Sequence, residues 1–278
     1  MMKYALLLLM ACSTPAALPP IVIAPVPSNG APQLTYNGIT GLAAISSCAK
    51  IDWKNRGVAP IGYFKGIALT YAKAVCQEKR TDVQLVSKAK TQAPSDALAW
   101  FDQEFAAKKM DNSKDGLDTL RHSFVLLIGL GLRESSGSHC CGIDRSAKPL
   151  NNHGPDTEAG AWQTSYNSHV YSPELDKLFA QYKATNDGCF YKEFHEGVKC
   201  TDSNLQNFGD GDSLLFQKMS KGCPAFAAEY AAVMLRVKRS HYGPLNNRAA
   251  EIRPECDELL KKVEAMVKDQ PELCEVLK

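Results

Sequence analysis

Between Leu117 and Leu132 the chain is apolar on nearly every side of a helix. Leu117, Leu120, Phe124, Leu127 and Ile128 fall on one stripe at helical spacing, and Val125, Leu126, Leu130 and Leu132 fill the other faces. Such a helix has to be enclosed by others, so the fold must be built around it. Gly129 and Gly131 each cost about 1 kcal/mol against alanine and let another backbone, or a substrate, come close. The spacing predicts a central buried helix over 117–133.

Glu134 ends that run. The negative end of the helix dipole and apolar surroundings both disfavour its ionised form. A general acid working near neutral pH needs this, and breaking a glycosidic bond needs a general acid. The alternative reading of the same residues is a solvated glutamate just past the helix end, paired with Arg133 or Arg145.

Other helices are expected over 59–76, over 96–108 with Ser95 as cap, over 174–182, over 225–238, and once or twice within 249–278. Trp53, Arg56 and Tyr63 read as packing between the N-terminal segment and the rest. Residues 134–172 read as loop and turn, 185–222 as loop-rich, and Asp210-Gly211-Asp212 as a turn, since the full calcium-loop pattern is missing. No strand pattern, repeat or heptad is evident. A long irregular stretch such as 134–172 is more often functional than not. It holds the acids Asp156 and Glu158 and the aromatics Trp162, Tyr166 and Tyr171, which could stack on sugar rings.

Composition narrows the class. The chain has 278 residues, 45% of them hydrophobic and 22% charged, as in ordinary folded proteins. A net charge of +2 argues against a dedicated nucleic-acid binder. Ten cysteines suggest an oxidising compartment. Cys189 with Cys200 and Cys256 with Cys274 are plausible local disulfides, although spacing leaves connectivity open. His139-Cys140-Cys141 with His153 has zinc-ligand types but no common zinc spacing, so disulfides are preferred and no metal or cofactor is expected. A cysteine amidase or peptidase built on Cys140 or Cys141 with His153 has no supporting context.

The N-terminal residues Leu9-Met10-Ala11-Cys12 resemble the lipobox of bacterial lipoproteins. The resemblance implies removal of 1–11 and lipidation of Cys12. Plain signal cleavage near Ala11 or Ala16-Ala17 is the alternative. The leader is too short to span a bilayer, whereas two or three acyl chains would anchor the protein. Ser13 after the cysteine favours the outer membrane by analogy with enteric bacteria. Residues 12–33 carry Pro15, Pro19, Pro20, Pro25, Pro27 and Pro32 and read as an extended tether.

Leu132-Arg133-Glu134-Ser135-Ser136-Gly137 resembles the catalytic-glutamate motif of the lysozyme-like superfamily, that of goose-type lysozymes and soluble lytic transglycosylases. Gly160-Ala161-Trp162-Gln163 is similar to their Gly-Leu-Met-Gln motif, and the helix from Ala225 ending in His241-Tyr242-Gly243 is placed like their later tyrosine motif. Departures are a longer spacing from Glu134 to Gln163, Trp162 in place of methionine, and His-Tyr-Gly-Pro in place of Tyr-Asn-Ala-Gly.

The resemblance implies a mainly α, lysozyme-like domain over 117–248, with an N-terminal helical region at 34–116, a C-terminal helical segment at 249–278, and disulfides. It implies a periplasm-facing bacterial envelope protein that cleaves the β-1,4 MurNAc-GlcNAc glycan of peptidoglycan as a lytic transglycosylase, with Glu134 as general acid and base. Ser135, Gly160, Trp162, Gln163, Tyr166 and Tyr242 would contact substrate. Asp156 or Glu158 would serve as a second carboxylate if the enzyme were a muramidase or a chitosanase-like hydrolase. A non-catalytic glycan-binding lipoprotein is the alternative from another class.

Overall fold

The computed structural model describes residues 36–143, 154–185 and 187–278. The leader 1–11, Cys12, the tether 12–33, Arg145 and His153 lie outside the described residues.

The fold is mainly helical. In chain order the helices are α1 (Asn37–Ile45), α2 (Ile61–Cys76), α3 (Thr81–Ser87), α4 (Ala97–Trp100), α5 (Asp102–Ala107), α6 (Leu117–Ser135), α7 (Pro173–Thr185), α8 (Tyr191–His195), α9 (Asp202–Leu205), α10 (Gly211–Gly222), α11 (Pro224–Val237), α12 (Gly243–Asn246), α13 (Pro254–Asp269) and α14 (Leu273–Val276). Strands β1 (Asp52–Trp53) and β2 (Gly57–Val58) form a small antiparallel hairpin pairing Asp52 with Val58 and Trp53 with Gly57. Two-residue strands are too short to show alternation, which is why no strand pattern is visible in the sequence.

The predicted central helix is α6, buried from Thr119 to Leu132. It packs against α2, α3, α11 and α13. Its glycines serve packing: a Cβ at Gly129 would stand 2.2 Å from the Glu251 carbonyl oxygen, and one at Gly131 2.2 Å from the Tyr63 hydroxyl. Enclosing each of its large apolar side chains contributes about 1.5–3 kcal/mol. α11 begins with Pro224 in its first turn, where a missing N–H costs nothing, and its alanines let neighbours approach. Residues from Ile39 in α1 to Leu277 share one hydrophobic core, so the regions 34–116, 117–248 and 249–278 pack together.

Several expectations are corrected. Asp96, not Ser95, caps the helix at 97, accepting from Leu98 N–H at 3.0 Å, and the helix expected over 96–108 breaks at Phe101 into α4 and α5. The loop-rich stretch 185–222 also contains α8, α9 and α10, with Asp210-Gly211-Asp212 opening α10 rather than forming a separate turn. The disulfides are Cys48–Cys256, Cys76–Cys274, Cys140–Cys200 and Cys189–Cys223, so neither local pairing holds. Two bridges close across the whole chain because α13 folds back onto α1 and α2, a proximity that spacing cannot reveal. Among the described residues no helix is long and apolar enough to cross a membrane.

Candidate active site

Glu134 sits in the last turn of α6 and is half-buried rather than enclosed. The helix end is held in place. Ser136 adopts the left-handed conformation (φ 55°), which lets its N–H reach the Leu132 carbonyl at 3.0 Å. Arg56 donates to the Arg133 carbonyl, and Arg133 Nη1 donates to Lys54 O at 2.8 Å, so the β1–β2 hairpin grips the helix terminus. Ser135 Oγ donates back to the Gly131 carbonyl at 3.1 Å and is buried, which corrects its reading as a substrate contact.

The Gly160-Ala161-Trp162-Gln163 segment is a tight turn closed by an antiparallel bridge between Ala159 and Thr164. Gly160 has φ +80°, and a Cβ there would stand 2.6 Å from the Ser220 carbonyl oxygen at the end of α10, so glycine is required. Gly160 N–H donates to Cys141 O at 3.0 Å, tying this turn to the segment that follows α6. Gln163 Nε2 donates to Gly160 O at 2.9 Å, so its amide holds its own turn.

Trp162 is not a sugar platform. It is fully buried, with Nε1 donating to Leu127 O at 3.0 Å and its ring against Tyr63 and Phe194. Tyr166 is half-buried, stacked on His169 at 4.8 Å and packed against Phe179, so its ring is also engaged within the fold. The exposed face of Tyr171 carries the Lys238 ammonium at 4.7 Å. Aromatic type alone does not distinguish core from platform.

His241 stands between Glu158 and Tyr242, and the charge of Glu134 also bears on Tyr242. His241 Nε2 donates to Gln163 O at 3.2 Å and lies 3.9 Å from Glu158 Oε1. His241 also packs edge-on against the Tyr242 ring at 4.8 Å. The Tyr242 hydroxyl is buried and has no hydrogen-bond partner among the described residues. Burial pushes its pKa well above the usual phenol value, and the charges of Glu134 and Glu158 push it further. Burial also lowers the pKa of His241, which favours the neutral imidazole. Asp156 is exposed and accepts from the Asn167 amide, so of the two loop acids Glu158 is the one whose charge bears on Tyr242.

The arrangement therefore sets a buried phenol, its O–H unsatisfied among the described residues, within electrostatic reach of two carboxylates. His241 was not singled out as a functional residue in the sequence, although it stands next to Tyr242. Cys140 is committed to its disulfide with Cys200, and Cys141, also buried, lies outside the four bridges. No protein-family model, curated protein or solved structure matches the chain.

Proposed function

We propose that this protein cleaves the β-1,4 glycan strands of peptidoglycan, with Glu134 as general acid and then base. The observation that supports this most is the half-buried Glu134 at the end of the enclosed α6, whose charge, with that of Glu158, bears on the buried Tyr242 phenol. In this reading the Glu134 carboxyl gives its proton to the glycosidic oxygen as the bond to the anomeric carbon breaks. The Tyr242 O–H, buried like Ser135 and Trp162 and so not open to the sugar, supplies a donor on the protein side to the carboxylate that Glu134 becomes. In transglycosylation Glu134 then takes the proton of the substrate's own 6-hydroxyl, which closes a 1,6-anhydro ring.

A second reading, hydrolysis, is favoured by Glu158. Its carboxylate is 39% exposed beside His241 and could orient a water toward the anomeric carbon. The lipobox-like residues around Cys12 support an outer-membrane-anchored protein of the bacterial envelope facing the periplasm. Incubating purified sacculi with the soluble chain lacking 1–12, and reading released muropeptides by mass spectrometry, tests both. Anhydro ends mark transglycosylation and reducing ends mark hydrolysis. No release by a folded chain contradicts both.

A further inference from the structure

His139, Cys140 and Cys200 bring their ligand atoms within 4.8 Å of one another. A second imidazole stands beside them: His195 Nδ1 lies 3.0 Å from His139 Nε2 in a hydrogen bond that zinc would replace. Cys200 Sγ is 3.9 Å from the same nitrogen. Zinc holds imidazole nitrogen at about 2.1 Å and thiolate sulfur at about 2.3 Å, which places neighbouring tetrahedral donors roughly 3.3–3.8 Å apart. These nitrogen–nitrogen and nitrogen–sulfur separations bracket that range.

The orientation of His139 is also that of a metal ligand. Its Nδ1 faces the Lys221 carbonyl at 2.8 Å. A carbonyl only accepts, so Nδ1 carries hydrogen and the lone pair lies on Nε2, toward His195 and Cys200. A backbone carbonyl fixing one imidazole nitrogen while the other binds is the usual outer support of a zinc histidine. The Tyr191 ring lies edge-on to His139 at 5.2 Å and flat on His195 at 5.3 Å, which holds both imidazoles.

We propose that opening the Cys140–Cys200 disulfide converts this cluster into a zinc site made of Cys140, Cys200, His139 and His195. A dithiol supplies the two electrons. Its two thiols become a disulfide as the Cys140–Cys200 bond breaks, and their two protons pass to the two cysteine sulfurs. Zinc then binds both thiolates, whose protons leave to solvent, and both imidazoles, the hydrogen on His195 Nδ1 passing through solvent to its Nε2. The metal replaces the covalent bridge, so the segment after α6 stays tied to residue 200 in either redox state. That segment includes Cys141, whose carbonyl receives Gly160 N–H.

The test is a titration of the full soluble chain with zinc chloride, before and after dithiol treatment, with alkylation mapping to identify the opened bridge. Opening Cys140–Cys200 should raise zinc affinity by about 10²-fold or more. His195→Ala, a change at an exposed side chain, should lower it by at least about tenfold. Cobalt(II) in place of zinc should show thiolate charge-transfer and tetrahedral bands. Equal uptake by the closed and opened forms, or uptake unchanged in a Cys140→Ser, Cys200→Ser chain, overturns the proposal. If dithiol treatment unfolds the chain, a Cys140→Ala, Cys141→Ser chain leaves Cys200 as a thiol with the other three bridges closed. Cobalt should then bind through Cys200, His139 and His195, and absence of a thiolate band in that folded chain overturns the proposal equally.

Discussion

His241 Nε2 stands 3.9 Å from Glu158 Oε1, joining the turn after α11 to the loop that carries the second carboxylate. The same nitrogen donates to Gln163 O, so one imidazole holds the loop and faces its acid. If Glu158 orients a water, Glu158→Gln should shift the products of glycan cleavage from reducing ends toward anhydro ends while Glu134 chemistry continues. Mass spectrometry of the muropeptides reads this partition. An unchanged ratio would remove Glu158 from the reaction.

Tyr242→Phe separates function from stability. The hydroxyl is buried without a partner, so removing it should leave stability unchanged or raise it by up to about 1–3 kcal/mol. If the hydroxyl supports Glu134 as proposed, its loss should lower kcat by about 10²-fold. Denaturant unfolding beside steady-state kinetics measures both. A destabilised variant with full activity would make Tyr242 a packing residue.

Gly129 and Gly41 should respond in opposite directions to alanine. At Gly129 the new methyl would meet the Glu251 backbone at 2.2 Å, so overpacking should cost about 1–3 kcal/mol despite the better helix propensity. Gly41 lies in α1 with nothing within 4 Å of its added Cβ, and Gly41→Ala should stabilise by about 0.5–1 kcal/mol. Urea midpoints at constant slope check the pair.

Burial lowers the pKa of His139 from 6.5 to about 4. Between those values the unfolded chain binds this proton and the folded chain does not. Stability from this group is therefore complete above about pH 6.5, falls as the pH drops toward 4, and levels off below. The unfolding free energy of the parent chain should approach that of His139→Gln as the pH falls through this window. A difference independent of pH would show that His139 does not titrate in this way.

Much of the helical frame is legible because its signal is local. The apolar run of α6 and the stripes of α2 and α11 are read directly from spacing, and their starts and stops shift by only a residue or two. α8 and α9 are a single turn each and carry no full period, and α10 begins in an Asp-Gly-Asp sequence that resembles a turn. The disulfide partners Cys48 and Cys256 are brought together by α1 and α13, elements at opposite ends of the chain.

At the site, Glu134 and Tyr242 are visible as motif residues. The partnership of Glu158 with His241 depends on how the 159–164 turn seats against the end of α11, which no local pattern encodes. Trp162 misleads because a tryptophan that fills a core and one that stacks on a sugar are the same residue. Its indole N–H finding Leu127 O is a tertiary fact.

The most direct measurement is digestion of purified sacculi by the soluble chain lacking 1–12, with Glu134→Gln run beside it and both shown to be folded. The account predicts muropeptides with new anhydro or reducing ends from the parent chain, reduced by about 10²-fold or more in the variant. Equal release by the two chains, or none from the parent where a control enzyme digests the same sacculi, would contradict it.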